Sequence, residues 1–248
     1  MPIDPPPALI SARRLTKTFG DFTAVRNIDF DIHSGEILGF LGPNGAGKTT
    51  TIRMIMGLLP VSSGRITIRG IDISRQPREA KNLLGYMSQK YSLYPLLNAL
   101  ENVEFFAGVN GMRPRQIRTM KERLAEEIAP DLLGLKTLDL PPGIRQKIAL
   151  YVCLMSDPEI ILLDEPTSGV DPEVRRQFWI EIYALKKSGK TIMVTTHNLD
   201  EAEYADRLLV IHRGDIILEG EPEKLLQIWG IATIEELFEE AIHRHDAS

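Results

Sequence analysis

The run GPNGAGKTT at 42–50 follows directly on an apolar stretch that ends at Leu41, and this junction constrains the fold more than any other part of the chain. A spacing of Gly, four residues, Gly, Lys, Thr bends the backbone so that successive N–H groups converge on one point, a path open to glycine because it has no Cβ. Converging N–H groups take an anion, and the side chains suit a phosphate: Lys48 to reach the β/γ oxygens, the Thr49 hydroxyl to reach Mg²⁺. The predicted phosphate-binding residues are Gly42, Pro43, Asn44, Gly45, Ala46, Gly47, Lys48, Thr49 and Thr50. A helix from 48 to about 56 would aim its positive end at the anion. Alone, the motif fits many nucleotide-binding families.

Apolar patterning predicts an α/β protein: a P-loop core with a mixed or parallel sheet, an antiparallel β subdomain and an inserted α-helical subdomain. Ile28, Phe30 and Ile32 alternate with polar residues, as do Ile66 and Ile68, which reads as half-buried antiparallel strands. The short apolar runs 37–41, 160–163 and 191–195 read as parallel strands buried on both faces. Helical spacing recurs at Leu100, Val103, Phe106 and Ala107, at Ile117, Met120, Leu124 and Ile128, and through 144–154. The predicted division is one domain over 1–248, with core segments at about 9–90 and 156–220, a helical subdomain at about 91–155, and closing helices at about 221–248.

Net charge −5 and pI ≈ 5.6 oppose bulk attraction to nucleic acid or anionic lipid. The single cysteine, Cys153, excludes an internal disulfide framework and reads as a small buried apolar residue. No stretch reaches the roughly 18 apolar residues that cross a bilayer, and MPIDPPPALI lacks the pattern of an export leader, so a soluble, unexported chain is expected. The basic cluster Arg113, Arg115, Arg118, Lys121 and Arg123 is interleaved with Glu122, Glu126 and Glu127 and reads as a solvated helix face. His243 and His245 read as frayed helix-end residues and not as a metal pair, since no third ligand stands near them.

ILLDEP delivers Asp164 and Glu165 to the carboxyl end of a buried strand, the edge where α/β sheets bind ligands. In a P-loop protein such an Asp orients Mg²⁺ and an adjacent carboxylate polarises the attacking water, so Glu165 is the predicted general base. TIMVTTH ends another buried strand with His197, placed to stabilise charge on a γ-phosphate.

With these residues in order, the chain from about 9 to 237 resembles the ATPase subunit of an ATP-binding cassette transporter. The resemblance implies that Phe19 in LTKTFGDFTAV stacks under adenine and that Gln89 in YMSQK reaches Mg²⁺ and the attacking water. It implies that Thr49, Gln89 and Asp164 serve the metal, that Glu165, His197 and Gln89 serve catalysis, and that Ser168, Gly169, Val170 and Asp171 form the loop that crosses to a second subunit. ATP and Mg²⁺ are the implied cofactors.

One motif departs from the family. Its LSGGQ signature aligns with Leu140, Pro141, Pro142, Gly143 and Ile144 before Arg145. The serine hydroxyl, two N–H donors and the glutamine amide are missing, while proline in a first helical turn still permits the helix. The expectation is an asymmetric pair: this chain supplies a competent phosphate loop, base and histidine, and a hetero or tandem partner supplies an intact signature. Alone it should turn over weakly. The resemblance also implies a transmembrane permease that holds the chain at the cytoplasmic face of the membrane, no nucleic-acid partner, and export of drugs, lipids or polymers. Tyr91, Tyr94, Leu96 and Leu97 are candidate contacts to the permease, with packing inside the helical subdomain as the alternative. A non-transport cassette ATPase acting on ribosomes or nucleic acid is the alternative function; no Asn-Lys-x-Asp run supports a GTPase.

Overall fold

Two twelve-residue strands, β1 (Ala8–Phe19) and β2 (Phe22–His33), pair antiparallel around a turn at Gly20. Each carries a non-glycine residue in the left-handed region, Arg14 and Asn27, both at φ 47°, where the pairing register slips. These bulges re-phase the alternation, so Ala12 and Leu15 point inward three residues apart, as do Val25 and Ile28. The computed structural model describes residues 7–89 and 93–247.

β3 (Ile37–Leu41) runs into the phosphate loop and then α1 (Lys48–Ile55). β4 (Ser63–Ile68) and β5 (Ile71–Asp72) complete an antiparallel sheet in the order β2-β1-β4-β5. After α2 (Pro77–Lys81) and β6 (Leu84–Met87) come three helices, α3 (Ala99–Val109), α4 (Pro114–Glu127) and α5 (Pro142–Leu154). β7 (Ile160–Asp164), α6 (Pro172–Lys187), β8 (Thr191–Thr196), α7 (Leu199–Ala202), β9 (Arg207–His212) and β10 (Asp215–Gly220) follow. The chain closes with α8 (Pro222–Trp229) and α9 (Ile234–Asp246).

The second sheet has the order β10-β9-β3-β8-β7-β6 and is parallel except at its β9-β10 edge. β3, β7 and β8 are buried at every residue, as their unbroken apolar runs require. Leu38 and Phe40 face one core with Ile52 and Ile55 of α1 and the inner face of the antiparallel sheet. Ile37 and Leu41 face the other, with Phe178, Trp179 and Ile182 of α6 and Leu225 and Leu237 of the closing helices. Parallel pairing of β3 with β8 and of β8 with β7 brings the carboxyl ends of all three to one edge, where α1 begins.

Helices α3, α4 and α5 enclose their own apolar cluster, which includes Val103, Ala107, Leu124 and Ile148. Asn98 and Glu101 close a capping box at the start of α3. Two residues of the basic cluster on α4 lie near acids, Lys121 2.6 Å from Glu104 and Arg118 3.8 Å from Glu122. Cys153 is buried, and burial pushes its thiol up to about 12, which suits an inert core residue. Among the described residues, no helix is long and apolar enough to cross a membrane.

His245 lies at a helix end as expected, but the reading of that end as frayed is overturned. α9 packs on β10, and its end brings the His245 ring 5.8 Å from that of His212 at the end of β9, with Asp246 beside both. Sequence spacing hid this because Asp246 and His212 are 34 positions apart. His243 is exposed and outside the group.

Candidate nucleotide site

The phosphate loop is held where only glycine fits. Gly45 and Gly47 lie in the left-handed region at φ 81° and 117°. A Cβ on Gly42 would stand 2.3 Å from the Ile211 carbonyl oxygen, and one on Gly47 2.7 Å from that of Ala24. Gly47 is also the cap residue of α1 and offers no side chain to its first N–H groups, which open toward the loop. Lys48 is buried beneath this loop, and its ammonium donates to the carbonyls of Gly42 at 2.7 Å and Pro43 at 3.1 Å.

At the end of β7, Asp164 Oδ1 accepts from the Thr49 hydroxyl at 3.1 Å and the Thr195 hydroxyl at 2.7 Å. The Glu165 N–H donates to both the carbonyl and the hydroxyl of Thr195, at 3.1 and 3.0 Å. Glu165 itself sits at φ 49°, an uncommon conformation for a side chain with a Cβ, held here by those bonds. Its carboxylate gathers three partners: Lys48 Nζ lies 3.1 Å from Oε1, Gln89 donates to Oε2 at 2.9 Å, and His197 Nδ1 is 3.1 Å from Oε2. Residues from four separate segments therefore meet over one loop.

A cavity of about 540 Å³ opens there, lined by the predicted Phe19, Asn44, Gly45, Gly47, Lys48, Thr49, Thr50, Gln89 and Glu165. Phe22 and Ala24 also line it and were not anticipated. Phe22 is 62% exposed, so a second aromatic surface borders the cavity beside Phe19. Its only signal was a position directly across the hairpin from Phe19. The oxygen donors of Thr49, Asp164 and the Gln89 amide fit a small hard dication.

Residues 141–144 line a different cavity of about 550 Å³, together with Asp171. Leu140 is buried. Pro141 and Pro142 occupy the cap and first turn of α5, and the N–H groups of Ile144 and Arg145 both donate to the Pro141 carbonyl at 3.1 Å. The Asp171 carboxylate, expected to reach a second subunit, caps α6 of its own chain by accepting from the N–H groups of Glu173 and Val174. Val170 is buried, while Ser168 and Gly169 border a small pocket with His197. Beside it lies a network the sequence did not reveal: buried Glu201 accepts from the Thr167 hydroxyl and lies 3.4 Å from Arg175 Nε. It ties the 167–171 loop to α7, which begins two residues after His197.

A phosphate loop, a strand-end acid pair and a strand-end histidine converge in this order and geometry, and residues 25–168 match the family model described as ABC transporter. The chain belongs to the ABC transporter family. This cassette is 45% identical over 227 residues to the probable multidrug ABC transporter ATP-binding protein YbhF of Escherichia coli (strain K12), covering 89% of the chain and 38% of YbhF. It therefore spans well under half the length of that relative. It is 36% identical over 224 residues to the Nod factor export ATP-binding protein I of Cupriavidus metallidurans, covering 88% of this chain and 73% of that protein. It also superposes on the dimeric ABC transporter cassette MJ0796 with a TM-score of 0.77 at 27% identity, covering 86% of this chain and 98% of that one.

Proposed function

We propose that this cassette is an ATP-binding and ATP-hydrolysing motor subunit of a membrane exporter, working opposite a second cassette that brings an intact signature loop. The observation that carries the proposal is the Glu165 carboxylate, held over the phosphate loop by Lys48, Gln89 and His197 while the chain's own residues 141–144 border another cavity.

In this reading the loop N–H groups and Lys48 bind the β- and γ-phosphates, and Phe19 takes the adenine face. Thr49, Asp164 and Gln89 would hold Mg²⁺, which when bound supplies positive charge to the phosphate oxygens. Glu165 accepts a proton from the water whose oxygen attacks the γ-phosphorus, and the bond to the ADP oxygen breaks. His197 donates a hydrogen bond to the γ-phosphate and stabilises its developing charge. Residues 168–171 face the second cassette, as dimerisation of the MJ0796 cassette supports by analogy.

The opposing signature site is weakened. Pro141 and Pro142 offer no N–H, and Ile144 offers no amide side chain. Each charge-assisted bond is worth about 1.5–3 kcal/mol, so closure on that side loses a few kcal/mol before relaxation, on the order of two such bonds. Export is supported by the names of the multidrug and Nod factor relatives. Tyr94 and Leu96 are exposed, as is Phe105, whose ring lies 4.4 Å from Tyr94; this apolar patch is the proposed permease contact, at the cytoplasmic face of the membrane. Leu97 is half-buried, and Tyr91 lies outside the described residues.

ATPase assays of the chain alone and mixed with a cassette of consensus signature test this scheme. Slow turnover alone, raised at least about tenfold by the partner, is expected from the lost bonds. Brisk, cooperative turnover by the lone chain would reject the asymmetric pair.

A further inference from the structure

Where β9 ends, two imidazoles and a carboxylate meet. His212 ends β9 and is 9% exposed; His245 and Asp246 form the last turn of α9. One ring nitrogen from each histidine and an oxygen of Asp246 all lie within 4.8 Å of one another. His212 Nε2 is 3.1 Å from Asp246 Oδ1, and His245 Nδ1 is 3.6 Å from the same oxygen, too long for a hydrogen bond.

We infer that His212, His245 and Asp246 form a binding site for a transition-metal dication of the Zn²⁺ class, clasping the end of α9 to β9. Four features point to an ion. His245 Nδ1, the nitrogen that faces Asp246, is buried and has no hydrogen-bond partner among the described residues. Asp215 Oδ2 stands 3.7 Å from the other nitrogen of His245, Nε2, beyond hydrogen-bond length but next to the ring edge from which a carboxylate orients a metal-bound imidazole. The site lies at the carbonyl end of a thirteen-residue helix, where positive charge is favoured. Two imidazoles with one carboxylate select Zn²⁺, Co²⁺ or Ni²⁺ over Mg²⁺ or Ca²⁺, and leave a fourth position for water.

Arg213 Nη1 donates to Asp246 Oδ1 at 2.8 Å and competes for that oxygen; its side chain is 66% exposed, so an ion taking Asp246 would leave the guanidinium to water. The hairpin turn after His212 donates its Gly214 N–H to the carbonyl of Ala46 in the phosphate loop at 3.0 Å. An ion at His212 would therefore also brace a turn that touches the nucleotide site.

The test is calorimetric titration of the chelator-treated full chain, without an affinity tag, with Zn²⁺, and absorption spectroscopy with Co²⁺. One equivalent should bind, with the intense visible bands of a four-coordinate cobalt site. His245→Gln, at a partly exposed position, should weaken binding more than about 100-fold, and Asp215→Asn roughly tenfold. His243→Gln, on the same helix and outside the cluster, should leave affinity unchanged. Circular dichroism on each variant keeps loss of folding apart from loss of a ligand. Absence of stoichiometric binding by the wild-type chain, or equal loss in His243→Gln and His245→Gln, would overturn the assignment.

Discussion

Lys48 Nζ lies 3.1 Å from Glu165 Oε1 with both side chains almost wholly buried, so the cation of the phosphate loop and the proposed base neutralise each other across the site. Neither charge is stable there without a partner, since an unpaired buried ion costs several kcal/mol, on the order of 3–5 when a pair is broken. In the proposed reaction, a triphosphate entering the loop would supply Lys48 with a new anion and leave Glu165 to water, Gln89 and His197.

Glu165→Gln separates these roles. The variant should bind MgATP at least as tightly as wild type, because a negative charge is removed near the phosphates, while turnover falls by about 10²- to 10⁴-fold with the general base gone. Nucleotide titration and phosphate release measured on the same preparation check both halves. Unchanged turnover would remove Glu165 from the reaction.

The phosphate loop, the acid pair and His197 were legible because each follows a short apolar run whose burial is forced, so its last residue must emerge at one sheet edge, whereas Gln89 came from the family resemblance alone. β1 was not read as a strand: the bulge at Arg14 breaks its alternation and gives a pattern of neither period two nor 3.6. Thr195, which orients both Asp164 and Glu165, looked like one more residue of a buried strand. Glu201 with Arg175, and His212 with His245, became neighbours only through packing between distant elements. The cap that Asp171 forms on α6 was masked by its place in a loop motif.

Glu181 borders the cavity beneath residues 141–144, and burial raises its carboxyl above the ordinary range, offset in part by Lys147, with Glu127 adding to the rise. Its folded pKa is above its unfolded one, so the stability it contributes is complete below the unfolded pKa and is lost as pH rises through the folded one. Glu181→Gln should melt higher than wild type at pH 7.5, and the gap should close as pH falls below the ordinary carboxylate range. Thermal melts at pH 7.5 and 4 check this; an equal offset at both would assign the effect to packing.

Leu96 is 67% exposed, and the proposed permease contact gives that exposure a purpose. Leu96→Asp should leave nucleotide affinity and melting temperature within error of wild type and abolish co-purification with membranes carrying the permease. Leu97 is a poorer probe, because its carbonyl accepts from Thr137 and Asn102 and its side chain is half-buried. Undiminished recruitment of Leu96→Asp would place the contact elsewhere.

The central claim is that a magnesium-bound triphosphate is gripped at Lys48. Isothermal titration of the folded chain with MgATP, beside Lys48→Ala of matched circular dichroism, tests it most directly. One equivalent should bind to wild type, with affinity roughly 10- to 100-fold weaker in the variant for loss of the charge-assisted bonds. No heat of binding in wild type, or equal affinity in both proteins, would contradict it.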